Sequence, residues 1–369
     1  MPKLLFVVTE DWYFVSHRLA TAVAARCAGF DVVVVTRFSK HRQTIEDAGL
    51  RAIPFGMNRR GLNPLTLLRE ALALACIYRR ERPDVVHHVA LRPVVVGGLA
   101  ARLAGIRSTI SAVTGMGFLF TDGGRLPWVR RAVQQVLPWL LSRGLTIVQN
   151  DDDAQQLAAC GLPLVRLRLI LGAGVDTERF APGPTSAVAA APVVMMASRL
   201  LWDKGVGEFV EAARRLRSCG ARFVLVGAPD ADNPASIADA DLSQWIAEGV
   251  LEWWGHSEDM AATLALADLV CLPSYREGLP KVLLEAMACG KPCITTDTPG
   301  CREAVRHEDN GLLVPVKDPK GLAAAIGRLL DDPKERQRMG ARGRELAVGE
   351  FSQKQVIEAT LAVYLEVLA

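Results

Sequence analysis

Short apolar runs alternate with longer amphipathic stretches from the first residues onward. KLLFVVT (3–9), DVVVVT (31–36) and DVVHHV (84–89) are rich in Val and bounded by turn signals, which predicts buried strands. STISAV (108–113) and LTIVQN (145–150) continue the series. Between them, residues 16–28, 64–82 and 93–104 space their apolar positions as helices do. The rhythm resumes in VVMMAS (193–198), RFVLVG (222–227), LEWWG (251–255), LVCLPS (269–274), KPCITTD (291–297) and GLLVPV (311–316), each followed by a helical stretch. Strands alternating with helices of this length predict parallel sheets with right-handed crossovers.

One stretch breaks the rhythm. LGAGVDTERFAPGPTSAVAAAP (171–192) is rich in Gly, Pro and Ala and has no long periodic run, so it reads as a connection between domains. A chain of 369 residues also exceeds what one hydrophobic core usually supports. The expected division is a first Rossmann-like domain at 1–172, a linker at 173–190 and a second Rossmann-like domain at 191–350. A C-terminal helix at 351–369 is a candidate to pack back on the first domain. Two doubly wound α/β domains facing each other would hold a ligand in a cleft at the carboxyl ends of both sheets.

Composition narrows the function. Half of the residues are hydrophobic, 22% are charged and the net charge is +3, far from the dense basic patch of a nucleic-acid binder. The eight cysteines form no CxxC pair, and Cys289 with Cys293 lacks the His or Cys partners of a zinc site, so reduced thiols in a cytoplasmic protein are expected. MPKLLFVVTED lacks the h-region and cleavage site of a signal peptide, and no apolar run is long enough to span a bilayer. Asn150-Asp151-Asp152-Asp153 follows a strand and reads better as a capped helix start than as a metal motif.

The richest chemistry lies in SYREGLPKVLLEAMACGKP (274–292). Glu277 falls in the loop leaving the strand LVCLPS; Pro280 suits a first helical position, and Glu285 falls in the second turn of the helix that follows. Carboxylates accept paired hydrogen bonds from vicinal hydroxyls, and amides at a helix start favour an anion. ASRLLWDKGV (197–206) leaves another strand of the same sheet and brings Arg199, a planar fork, and Lys204, a mobile point charge. A nucleotide-sugar, with hydroxyls at both ends of a diphosphate, has the matching needs.

Ser198-Arg199-Leu200, Lys204-Gly205, FVLVG (223–227), Glu277-Gly278 and Glu285-Ala286-Met287-Ala288-Cys289-Gly290-Lys291-Pro292 together resemble the retaining glycosyltransferases of family 4, of GT-B fold. GAGVDTERFAP (172–182) is similar to that family's interdomain signature, and GLLVPVKDPKGLAAAI (311–326) to its usual continuation. The resemblance implies a metal-independent, front-face transfer from a nucleoside-diphosphate sugar, UDP by default, with no cofactor. It assigns Glu277 to the donor sugar's hydroxyls, Glu285 to the ribose, and Arg199 and Lys204 to the diphosphate, helped by amides at Gly278 and Leu279. It assigns Trp254-Gly255-His256 to the turn that reads the base. Where many relatives have glycine this chain has Pro280, which has no amide to donate, so one contact shifts to Leu279 or Lys281. Where many carry a histidine, it has Thr114-Gly115-Met116-Gly117, and that histidine's role does not carry over.

TEDWYFVSHRLATA (9–22) and AVTGMGFLF (112–120) resemble the branch that extends polyprenyl-diphosphate-linked saccharides. His17 is the polar candidate for the acceptor or reacting centre, with a capping or surface role as the alternative. His87 and His88, at a strand end, read first as packed core histidines. Residues 126–144 interleave Trp128 and Trp139 with Arg130, Arg131 and Arg143, with Arg125 just before them; Phe118, Leu119 and Phe120 lie nearby. That pattern fits a helix on the inner membrane face and equally a helix packed along one domain. A nucleotide-sugar epimerase on the same fold and an NAD-dependent oxidoreductase are the alternatives; against the latter, no GxGxxG follows the first strand.

Overall fold

A computed structural model describes residues 1–57, 63–115, 127–183, 191–230 and 233–369. They form two compact units, Met1–Ala173 with Val356–Ala369, and Gly174–Gln355. Unit 1 carries the parallel strands β1 (Lys3–Glu10), β2 (Asp31–Arg37), β3 (Arg51–Pro54), β4 (Val85–Val89), β5 (Thr109–Val113), β6 (Leu145–Val148) and β7 (Leu167–Leu169), in the order β3-β2-β1-β4-β5-β6-β7. Unit 2 carries β8 (Val193–Ala197), β9 (Arg222–Val226), β10 (Glu252–Gly255), β11 (Leu269–Leu272), β12 (Cys293–Thr296) and β13 (Gly311–Val314), in the order β10-β9-β8-β11-β12-β13. Both are doubly wound parallel α/β sheets, as the alternating pattern predicts.

The near-continuous apolar strands follow from burial on both faces. In unit 1, Leu4, Phe6 and Val8 of β1 join one core cluster while Leu5 and Val7 join another on the opposite face. β3 and β7 are absent from the sequence-based expectation. Both are edge strands of three or four residues, and Pro54 is tolerated because an edge has no further ladder to feed. The first helix also starts earlier than the spacing suggests: Asp11–His17 follows β1 directly, Arg18 breaks the regularity, and Leu19–Cys27 continues.

The helix Gln353–Leu368 begins in unit 2 and completes the core of unit 1. Val356, Thr360, Val363 and Tyr364 share its buried face, and the Tyr364 ring meets Phe6 and Phe30 edge-on. Within unit 2, Val175 N–H donates to Phe351 O and Gln353 N–H donates to Val175 O, each at 2.9 Å, tying the start of the unit to its end. Among the described residues no helix is long and apolar enough to cross a membrane.

Candidate active site

In unit 2 the strand order reverses between the neighbours β8 and β11, whose connections leave toward opposite edges. The loops at the carboxyl ends of such a pair splay apart and leave room for a ligand. Arg199 and Lys204 sit in the loop after β8, and Glu277 in the loop after β11.

The two loops are laced together. Tyr275 N–H donates to Asp203 O at 2.9 Å, and Ser274 Oγ donates to the same carbonyl at 3.3 Å. This brings Lys204 Nζ to 2.6 Å from Glu277 Oε1, although 73 residues separate them in sequence. Two glycines allow the approach. Gly205, at φ +80°, lies so close to Pro273 O that a Cβ would collide with it. Gly300, at φ +83°, lies against the Glu277 carbonyl, and Glu277 N–H donates to Pro299 O at 3.3 Å.

Pro280 is the cap of the helix Lys281–Ala288, one position outside the first helical place that the sequence suggested for it. Its extended backbone (φ −74°, ψ 113°) is compatible with that role. Glu285 is only 6% exposed, and Lys281 lies one turn earlier with Nζ 3.1 Å from Glu285 Oε1. Burial raises the pKa of Glu285, and the charges of Lys281 and Arg179 partly offset it. Gly278 is half-buried and Leu279 buried in the turn between the two glutamates.

Arg199 is the most exposed of the group, and its Nη1 lies 3.0 Å from Asp230 Oδ2. The backbone holds that loop firmly, because Leu200 N–H donates to Ala228 O and Ile237 N–H donates to Leu200 O. Trp254, Gly255 and His256 lie at the end of the edge strand β10. The Gly255 carbonyl accepts from Gly227 N–H at 2.7 Å, Trp254 Nε1 donates to Glu252, and His256 is exposed.

Unit 1 places its candidates differently. His17 ends the helix Asp11–His17, its ring stacked on Tyr13 at 4.2 Å. Asp11 is buried and accepts from Ser39 N–H, Ser39 Oγ and His41 N–H. Burial would raise its pKa, but these bonds lower it overall. His87 and His88 point to opposite faces of β4, where His87 Nδ1 meets Tyr364 Oη at 2.8 Å and His88 Nε2 meets Tyr78 Oη at 2.9 Å. Burial holds His87 well below the usual range, with the charges of the buried Arg18 and of His88 adding to it, and burial takes His88 down to about 3. Asn150 caps the helix Asp151–Ala159 through a bond from Asp153 N–H. β1 enters its helix at Asp11 without a glycine turn.

The helix Pro127–Leu141 exposes Val136 and Trp139, and the Arg102 guanidinium lies 3.8 Å from the centre of the Trp139 ring. Phe118, Leu119, Phe120 and Arg125, and the side chains of Trp128, Arg130 and Arg131, lie outside the described residues, as do Met116 and Gly117.

Four of the residues singled out from sequence thus meet as two pairs that the sequence did not foretell, Lys204 with Glu277 and Lys281 with Glu285. The sequence did not single out Asp230 and Glu208, the latter bonded to Tyr275. Both are ordinary acids on a loop and a helix, and no spacing marks them.

Residues 3–148 match the family described as "Glycosyl transferase 4-like", and residues 191–332 match "Glycosyl transferases group 1". The chain is 29% identical over 352 residues to the N,N'-diacetylbacillosaminyl-diphospho-undecaprenol alpha-1,3-N-acetylgalactosaminyltransferase of Campylobacter jejuni, covering 92% of each chain. It is 25% identical over 325 residues to the UDP-Gal:alpha-D-GlcNAc-diphosphoundecaprenol alpha-1,3-galactosyltransferase of Escherichia coli, covering 82% of this chain and 81% of that one. Its fold is similar to that of Anabaena HepE, solved in complex with UDP and glucose, with a TM-score of 0.79, 19% identity, and coverage of 99% of this chain and 100% of that one. These matches in both halves, on two doubly wound sheets, show that the chain belongs to the family 4 glycosyltransferases of GT-B fold.

Proposed function

We propose that the chain moves a sugar, with retention of anomeric configuration, from a UDP-sugar to a polyprenyl-diphosphate-linked saccharide. The observation that carries the reading is the Lys204–Glu277 pair at 2.6 Å between the β8 and β11 loops, with Glu285 buried one helix turn beyond. Glu277 accepts the donor sugar's hydroxyls and Glu285 those of the ribose. Lys204, with Arg199 released from Asp230, takes the charge that develops on the leaving diphosphate, so no metal ion is required for that task. Lys281 and the Gly278 and Leu279 amides lie beside the same group, and the Trp254–His256 turn reads the base.

The acceptor oxygen attacks C1 of the donor sugar on the face from which the diphosphate departs. As the bond from C1 to the phosphate oxygen breaks, the acceptor's proton passes to that oxygen. Unit 1 takes the acceptor, with His17 as the polar group nearest that role. The relatives that act on undecaprenyl-diphosphate sugars support this acceptor class, and the UDP complex of the similar fold supports the nucleotide. An acceptor of this kind places the enzyme at the cytoplasmic face of the membrane, with the helix bearing Trp139 as the contact.

A thermal-shift panel with UDP, GDP, ADP and NAD tests the donor. A ligand at 100 times its dissociation constant adds about 2.7 kcal/mol. UDP should stabilise the wild type, and Arg199→Ala and Glu285→Ala should lose that response; stabilisation by NAD alone would sink the reading. Transfer to an undecaprenyl-linked acceptor should survive EDTA and give an axially linked, retained product by NMR.

A further inference from the structure

Tyr275 stands two residues before Glu277, and its hydroxyl reaches across to the helix that follows the Lys204 loop. Tyr275 Oη donates to Glu208 Oε1 at 2.7 Å, in the first turn of the helix Val206–Arg215. The other oxygen, Glu208 Oε2, is buried without a hydrogen-bond partner among the described residues. A half-buried carboxylate held by a single bond is poorly satisfied, so that bond matters more than a surface contact would. On its other side the Tyr275 ring faces Lys317, whose Nζ lies 5.0 Å from the ring centre. Lys317 adopts φ +58°, an uncommon backbone for a side chain of its kind.

These contacts close a ring of links. Tyr275 N–H bonds to Asp203 O; Lys204, the next residue, pairs with Glu277; and Arg276 leads back to Tyr275. The ring fixes the two loops to each other, and the Tyr275–Glu208 bond is the side-chain strut that fixes the ring to a helix. We infer that Tyr275, held by Glu208, is a positioning residue that sets where the Glu277 carboxylate stands relative to Lys204. This rests on the reading of Glu277 as the group that binds the donor sugar. The nucleotide half of the site, at Glu285, lies on a different element and is not steered by this strut.

A positioning role separates turnover from binding, because a misplaced carboxylate by as little as 1 Å can cost on the order of 100-fold in rate. The test follows UDP release with an undecaprenyl-linked acceptor from UDP-N-acetylgalactosamine or UDP-galactose, whichever the wild type turns over. Tyr275→Phe and Glu208→Ala should each lower kcat about 10-fold or more. Their KM for donor and their UDP-induced thermal shift should stay within about 2-fold of wild type. Glu208→Gln, whose amide oxygen still accepts from the phenol, should recover most of kcat. The double variant Tyr275→Phe/Glu208→Ala should be no slower than either single one. Wild-type kcat in Tyr275→Phe, loss of the UDP response with it, or equal impairment in Glu208→Gln and Glu208→Ala would each overturn the inference. Should Tyr275→Phe fail to fold, the Glu208→Gln and Glu208→Ala pair decides alone. Glu277→Gln serves as the second arm: full activity there would overturn the reading of the site itself. Collapse there beside a normal Tyr275→Phe would overturn only the strut.

Discussion

A carboxylate that is 6% exposed, as Glu285 is, costs the folded chain stability whenever it is ionised, even with Lys281 3.1 Å away. Its pKa lies above the ordinary value of 4.5, chiefly through burial. The stability it contributes is therefore present below that value and lost as pH rises through the raised folded one. At neutral pH Glu285→Gln should leave the melting temperature of the ligand-free protein unchanged or raise it, while shrinking the shift produced by UDP. Scanning fluorimetry with and without UDP reads both; a lower melting temperature with an intact UDP shift would contradict it. The histidines of β4 act in the opposite direction. His88 falls from an ordinary 6.5 to about 3, and His87 falls well below its usual range, so both are neutral in the fold. The unfolded chain binds their protons first, and stability present above pH 6.5 is lost as pH falls toward 3. The urea midpoint should hold steady between pH 8 and 7 and decline below 6.5, while the His88 ring resonances stay unmoved down to pH 5.

At the scale of elements, the turn around Gly300 supports the loop of Glu277 from behind. A Cβ at residue 300 would meet both the Glu277 carbonyl carbon and the Gly278 oxygen, and φ +83° adds strain. Gly300→Ala should cost on the order of 1–3 kcal/mol and lower turnover further than its stability loss explains, read by activity at a temperature where the variant is still folded. How much was legible in advance follows from the same elements. The central strands announce themselves because both of their faces are buried, whereas β3 and β7 are short, edge-bound and partly polar. The helix at Asp11 escaped notice because its cap, Glu10, makes no side-chain capping bond, and Asp11 spends its oxygens on Ser39 and His41. The glutamates and cations of the site were visible as residue types in the right loops. That Lys204 meets Glu277, that Arg199 meets Asp230 and that Tyr275 meets Glu208 depends on which strands lie side by side, and no local pattern encodes that.

For the whole molecule the decisive feature is that unit 1 is discontinuous. Val356, Val363 and Tyr364 are apolar side chains buried in its core, each worth roughly 1.5–3 kcal/mol. Their joint loss is on the order of 5 kcal/mol or more, comparable with the net stability of a domain. A chain ending at residue 355 should lose the cooperative unfolding of unit 1, while the UDP-dependent stabilisation of Gly174–Gln355 survives. Calorimetry should therefore show one transition weakened or missing and the other intact; a full-strength pair of transitions would show the last helix to be dispensable.

The return of that helix also bears on the order in which a ribosome's product matures. Domains usually fold in the order they are made, the first while the second is still being synthesised. Here the half that is made first lacks Tyr364, the phenol partner of His87 and an edge-on neighbour of Phe6, until residues 356–369 have followed. Gly174–Gln355 carries no such debt to distant sequence. The half made second is free to mature first, and the half made first waits, incomplete, for the far end of its own chain.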